Sequence, residues 1–426
     1  MNGLGMSALF ALVATGALPL SAAPQMPAPS PNAGFNDGIN RADPDFVKAS
    51  LLIMSPGDEL YSCAGHACIR LECPKFNLDY CFSYESEGVA DKVWTFLRGK
   101  LKMGMFAVPT EDYLKIGRAE GRGVMQYTLN LPPDAKQRLW KILDERAAQG
   151  ANLPYDYVKR GCGRSARVLL QEALHPLQME MPSMPEVYSK TRRELWDVAV
   201  SHHPWNRFFL HSFCGTEHDW NVSDIEKVVV PNDLLQFLKL AKVNGTPIID
   251  SNGVELLPED SKAGEARSCM TGIFTPFVIT CVIAALVATN WFVKVKWLDW
   301  LLLAFQSLAG AFFGYLVAFS GLPATSWNWL IIPFNLLPLI LWKWRAKWAL
   351  WFAGILLLWE VGMAVYPHRL TDPAYLVLVV AYIVMYARIG WHGRARRPAT
   401  AVHPVTRSCA DIFENLRRRN MERGRV

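Results

Sequence analysis

From about Thr271 to Ile389 the chain is dominated by five apolar stretches: Gly272–Phe292, Leu298–Phe319, Trp327–Trp342, Trp348–Val365 and Ala374–Ile389. Each is near the ~20 residues that a bilayer demands of a helix, the third being the shortest. Read instead as core helices of a soluble domain, five such runs in succession would leave too little polar surface. A five-helix transmembrane half over residues 271–390 is therefore expected. It also explains why hydrophobic residues reach 51% of the chain while charged ones stay at 19%. Lys and Arg set the orientation. Lys294 and Lys296 lie between the first two spans, and Lys343, Arg345 and Lys347 between the third and fourth. Arg388, Arg394, Arg396, Arg397 and Arg417–Arg419 follow the fifth, whereas the opposite turns hold only Arg369. Every span agrees on a basic cytoplasmic tail, 391–426, and on a region before Thr271 that lies outside the cytoplasm. Trp291, Trp297, Trp300, Trp327, Trp329, Trp342, Trp344 and Trp348 sit near span ends, as interface aromatics do. Among the polar groups in the spans are Asn328, Asn335 and Glu360; the last reads either as functional or as neutralising a basic neighbour.

The other end of the chain supports that topology independently. Residues 1–23 read as a secretory signal: an apolar run from Ala8 to Leu20 ends in the small residues Ser21-Ala22-Ala23. Residues 24–44, rich in Pro, Ala, Asn and Gly, are a flexible spacer. Much of the net charge of +6 belongs to the basic tail, so it gives no reason to expect nucleic-acid binding.

Between spacer and membrane, residues 45–268 read as an α+β domain. Leu51–Ile53 is a short strand. His66–Leu71 alternates as a strand does, with His66, Cys68 and Arg70 on one face. Leu78–Tyr84 pairs with it through a turn at Pro74–Asn77, placing Asp79, Cys81 and Ser83 on a shared face. Asp79 is thus expected to orient His66, with Tyr84 and Asp219 as substitutes. Val93–Leu101, Asp134–Ala148 and Asn232–Val243 read as helices and Arg122–Leu131 as a strand, while the region before Pro231 is less regular. Cys63, Cys68, Cys73, Cys81, Cys162 and Cys214 all face an oxidising compartment. A Cys73–Cys81 bridge would close the hairpin, but the connectivity is open. Zinc held by Cys63, His66, Cys68 and Cys73 is disfavoured by spacings that miss the usual pattern. His202, His203, His211 and His218 are scattered, as surface histidines are.

The stretch from Tyr155 to Leu174 is built to make a sulfur reactive. Ala166, Leu169, Leu170, Ala173 and Leu174 have the spacing of an amphipathic helix, and Cys162 lies one turn before Ala166, at the helix start. Unpaired N–H groups and the positive dipole end favour a thiolate there. Arg160 and Arg164 add positive charge. Gly161 and Gly163 remove side chains on either side, leaving room for a substrate carbonyl. The competing reading is a buried structural cysteine.

With His66 ahead of Cys162, the order is that of circularly permuted papain-like enzymes. More closely, the chain resembles the bacterial membrane family of the thiol-type lipoprotein N-acyltransferase Lnb. The motifs are Glu59-Leu-Tyr-Ser-Cys-Ala-Gly-His-Ala-Cys-Ile-Arg70, Leu78-Asp-Tyr-Cys-Phe-Ser-Tyr84, Phe96-Leu-Arg-Gly-Lys-Leu101, Tyr155-Asp-Tyr157 ahead of Cys162, Gly215–Asp219 and Leu322–Leu337. Gly161 and Gly163 depart from that family, which usually has Asn before the cysteine and a small hydroxylic residue or Ala after it. The resemblance implies an acyl-cysteine enzyme without cofactor or metal, at the bacterial inner (cytoplasmic) membrane. Cys162 is its nucleophile and His66 its base, with Gly161, Gly163, Arg164, Tyr157 and Tyr84 around the substrate. Its donor would be a phospholipid and its acceptor the N-terminal amine of a diacylated lipoprotein. A membrane-anchored cysteine hydrolase and a non-enzymatic scaffold are the alternatives.

Overall fold

The structure, a computed structural model, describes residues 43, 45–58, 62–88, 92–156, 161–184, 191–220, 222, 228–260, 274–322, 325–366, 372–395 and 414. The expected signal, nearly all of the spacer, Tyr157, Arg160 and most of the basic tail lie outside these residues.

A seven-stranded antiparallel sheet organises the first half. Its strands are β1 (Lys48–Met54), β2 (His66–Cys73), β3 (Leu78–Ser86), β4 (Lys102–Pro109), β5 (Val124–Thr128), β6 (Leu153–Pro154) and β9 (Val254–Leu257), in the order β6-β4-β3-β2-β1-β5-β9. A separate ribbon pairs β7 (Lys242–Val243) with β8 (Thr246–Pro247). Alternation sends Ala67, Ile69 and Leu71 to one face, where they are buried with residues of three helices: α3 (Pro133–Gln149), α4 (Cys162–Leu174) and α7 (Pro231–Leu240). The intervening Cys68, with Cys81, packs on the other face against Tyr113 of α2 (Thr110–Ala119). The expected long helix from Val93 is shorter, α1 (Val93–Leu97), because the chain turns at Gly99 into β4. The region expected to be less regular holds α5 (Arg192–Ala199), started by a Thr191–Glu194 capping box, and α6 (Pro204–Phe213).

Among the described residues of the second half, four helices are long and apolar enough to cross a membrane: Pro276–Val293, Lys296–Phe319, Trp342–Val365 and Pro373–Gly393. The regular helices within them are α8 (Pro276–Val293), α9 (Lys296–Phe319), α11 (Arg345–Val365) and α12 (Pro373–Ala395). At about 1.5 Å per residue, α9 is about 36 Å long, enough for a hydrocarbon core of about 30 Å. The expected third span is not a regular helix. It is a 3-10 turn (Trp329–Ile331), the short α10 (Leu337–Ile340) with Pro338 in its first turn, and a second 3-10 turn (Trp342–Trp344), the first two separated by irregular backbone that includes Pro333. Proline lacks the N–H that a continuous helix needs, and hydropathy does not register that. The segment still runs the length of α9. Asn328 near its start donates to Ser212 O at 2.7 Å, and the Trp342 ring near its end lies 5.1 Å from Trp300. Irregular backbone at membrane depth must be satisfied by protein. Gln306 Nε2 donates to Pro333 O at 2.7 Å, and Asn335 Oδ1 accepts from Leu337 N at 3.0 Å.

The two halves are joined by polar contacts around an apolar seam. Leu97 is buried among membrane-helix residues such as Phe313, Leu316 and Tyr375. Ser320 Oγ donates to Leu97 O at 2.7 Å and Gly321 N to Arg98 O at 3.1 Å. Ser212 and Tyr375 hydroxyls meet at 2.6 Å, the Phe208 ring stacks on Tyr375 at 4.2 Å, and Trp205 Nε1 donates to Phe274 O at 2.9 Å. Gly99 is indispensable to this seam. Its φ is +66°, and an added Cβ would lie 2.1 Å from the Gly321 carbonyl carbon. Gly99→Ala should therefore cost more than about 1 kcal/mol, lowering Tm in detergent. Gly88→Ala, with φ +94° and open space around it, should lower Tm less, since it carries the backbone strain without the collision. Equal Tm changes in the two variants would contradict this role for the seam.

Candidate active site

α4 begins at Cys162 because Gly161, its N-cap, is extended (φ −60°, ψ 158°) and Ser165 N already bonds Gly161 O at 3.0 Å. Cys162 is thus the first helical residue, where the helix carries the equivalent of about half a positive charge. Ala166, Leu169, Leu170, Ala173 and Leu174 bury the inward face and fix the helix against the sheet. His66 is the first residue of β2, at the lip of the sheet where α4 starts.

The imidazole and the thiol meet there. Burial alone would push the thiol up, but the hydrogen bond and charge of His66 and the backbone amides of Ala67 and Gly163 outweigh it, and Cys162 falls below the ordinary thiol value. Burial likewise disfavours a charged His66, yet the bond to Cys162, its charge and that of Glu85 carry the imidazole above its usual value, against opposition from Arg122. The two shifts agree in sense. Both move the pair towards the thiolate–imidazolium form, in which a cysteine is nucleophilic near neutrality.

The third group is not Asp79. The β2–β3 register places Asp79 opposite Glu72, and the same register carried to the other end places Glu85 opposite His66. Asp79 is thus six residues, or about 20 Å at roughly 3.3 Å per residue, from the position facing His66. It accepts from Arg70 Nε and Nη2 at 2.8 and 2.7 Å and from Thr110 Oγ1 at 2.6 Å. Glu85 Oε1 lies 3.7 Å from His66 Nε2 and is held by Ser83 Oγ at 2.6 Å. The signal was present in the alternation that selected Asp79: counting outward from the turn pairs 73 with 78 and hence 66 with 85.

The remaining expected residues divide. Tyr84 lies on the α4 side of the sheet, where its hydroxyl accepts from Arg146 Nη1 at 3.1 Å, and Arg146 in turn pairs with Glu172 of α4. Asp219 is bound to Arg193 Nε at 2.6 Å. Arg164 stands beside Arg167, whose guanidinium is pushed down to about 10 by burial and then by Arg164. Gly163 makes room for protein: an added Cβ would lie 3.0 Å from Val230 O, and one on Gly161 3.2 Å from Val229 O. Tyr155, ahead of the helix, is pushed up to about 12 by burial and the nearby Cys162 charge.

Among the described residues, Cys68, Cys73, Cys81, Cys162 and Cys214 are free thiols. Cys73 pairs with Leu78 in the register, so Cys81 lies on the opposite face and a Cys73–Cys81 bridge is excluded. Of the histidines expected at the surface, His203, His211 and His218 are buried. His211 Nε2 meets Asp197 Oδ1 at 2.6 Å, and Arg207 grips both Asp197 oxygens at 3.0 and 3.1 Å while reaching Asp372, at the start of the last helix, at 3.6 Å. The i,i+4 spacings of Arg193 with Asp197 and of Arg207 with His211 mark this network in the sequence. Among the described residues, no group of three His, Cys, Asp or Glu is placed to hold a metal ion.

Residues 35–194, which include both His66 and Cys162, match the family model described as the Lnb N-terminal periplasmic domain. Over these residues the chain is similar to the Lnb family. No curated protein and no solved structure matches it. The chain therefore combines a domain similar to the Lnb periplasmic domain with helices long and apolar enough to anchor it in a membrane.

Glu85→Gln should move the pH profile of Cys162 alkylation by iodoacetamide to higher pH, because an imidazolium without a facing carboxylate releases its proton sooner and no longer holds the thiolate. Asp79→Asn should leave that profile in place. The opposite pattern would restore Asp79 as the partner of His66.

Proposed function

We propose that this protein is a lipoprotein N-acyltransferase working through an acyl-cysteine at Cys162, with its catalytic domain on the periplasmic side of the bacterial inner membrane. The observation that carries the reading is the paired shift of His66 and Cys162, thiol down and imidazole up, on a domain packed against membrane helices. The Cys162 sulfur attacks the ester carbonyl of a phospholipid, forming an S–C bond. The Cys162 amide is among the N–H groups that a helix start leaves without an intrahelical acceptor, and it stabilises the oxyanion. As the tetrahedral intermediate collapses, the C–O bond breaks and His66 gives its proton to the departing lysolipid alkoxide. The N-terminal amine of a diacylated lipoprotein then attacks the thioester. His66 accepts the amine's proton, the C–S bond breaks, and an amide and the free cysteine pair result. Glu85 is a positioning residue that orients His66 and favours its charged form. His66-before-Cys162 order and a sheet flanked by the cysteine helix accord with a circularly permuted papain-like domain. Both substrates are lipids, so a site held at the membrane surface spares the cost of extracting them.

Mass spectrometry of lipoprotein N-termini tests the proposal. Cells with the wild-type protein should carry N-acylated termini, while Cys162→Ser should remove the modification and leave membrane insertion intact. Unmodified termini together with released fatty acid or cut peptide would identify a cysteine hydrolase instead.

A further inference from the structure

Four aromatic rings lead from the neighbourhood of Cys162 to the membrane helices. Tyr155, brought alongside β4 by its N–H to Leu101 O at 2.8 Å, lies 6.0 Å from the Phe96 ring. Phe96 lies 5.6 Å from Phe213 at the end of α6, and Phe213 lies 5.9 Å from Phe312 within α9. All four are partly exposed, so the line borders a surface path instead of filling a closed core. Phe96, Phe213 and Phe312 pack against the cluster that buries Leu97 among the membrane helices, so the path is continuous with the apolar interior of the anchor. The backbone at this seam already has partners, with Leu97 O, Arg98 O and Ser212 O bonded to Ser320, Gly321 and Asn328. Bonded carbonyls beside the rings suit an occupant with no polar groups of its own.

We propose that the Tyr155–Phe96–Phe213–Phe312 line is an acyl-chain site, which takes the hydrocarbon tail of the ester presented to Cys162. The inference rests on the acyl-transfer reading and specifies its donor as a long-chain ester. The tail lies along the rings from the thiol towards the bilayer, and the carbonyl ends at the sulfur. Its carbon chain never leaves apolar surroundings as the donor moves up to the site. Each methylene buried there favours binding by about fourfold, so a long chain outcompetes a short one even though both offer the same carbonyl.

Full-length protein in detergent, with p-nitrophenyl butyrate and p-nitrophenyl palmitate as donors, separates the two readings, with Cys162 acylation followed by intact mass. Wild type should favour palmitate. Phe96→Ala and Phe213→Ala should each lower the palmitate-to-butyrate rate ratio at least tenfold; an unchanged ratio overturns the site while leaving acyl transfer standing. A palmitoyl ester carrying a terminal diazirine provides an arm that needs no variant. On irradiation it should label wild-type Phe213, Phe312 or their immediate neighbours, and labelling confined to other surfaces overturns the site. If neither ester acylates Cys162, the acyl-transfer reading falls and takes the site with it.

Discussion

A sulfur and an imidazole, each in surroundings that oppose its charged form, favour one another's charged form at the meeting point of a helix start and a strand start. The contrast with other cysteines of the same domain shows how much depends on this contact. Burial pushes Cys63 and Cys214 up to about 12, and Cys68, also largely by burial, well above an ordinary thiol. Burial acts on Cys162 in the same direction, and there it is overcome by His66 and by backbone amides of Ala67 and Gly163. Geometry alone thus sets Cys162 apart from these thiols, since the chemistry of the side chain is common to them all. The sheet sets His66, the buried face of α4 sets Cys162, and the β2–β3 register brings Glu85 to the outer edge of the imidazole.

The membrane half gives that pair a location. Leu97, Phe208 and Phe213 are shared between the periplasmic domain and the helices, and Ser320, Gly321, Asn328 and Tyr375 bond to the backbone or side chains of that domain. The Asp197–His211–Arg207 group extends the junction to Asp372, which also caps the last helix through Ala374 N at 2.9 Å. Buried charges of this kind are weak evidence for stability, and their value lies in fixing one arrangement of the joined elements.

Much of this was legible from residue order. Apolar runs showed the membrane half, the 3.6-residue spacing after Gly163 showed the helix that Cys162 begins, and alternation around His66 showed the hairpin. What failed did so for identifiable reasons. Asp79 is on the correct face at the wrong end of the hairpin, because alternation reports the face and only the register reports the height. The Trp327–Trp342 segment is apolar enough for a span, yet it is irregular around Pro333 and polar side chains from α9 and from the segment itself complete its backbone bonds. Gly161 and Gly163 announce close approach correctly, but the neighbours they admit are Val229 and Val230 of the same chain. β4 was missed: its sequence, Lys-Met-Gly-Met-Phe-Ala-Val-Pro, has no clean alternation, being apolar on both faces from Met103 to Val108.

Difference ultraviolet absorbance of the thiolate, wild type minus Cys162→Ser, titrated across neutral pH, tests the central pairing most directly. The wild-type thiolate should be present well below the pH at which an ordinary thiol ionises, and His66→Ala should move its midpoint up to or beyond the ordinary value. A wild-type midpoint at or above that value, indifferent to the loss of His66, would contradict the pairing.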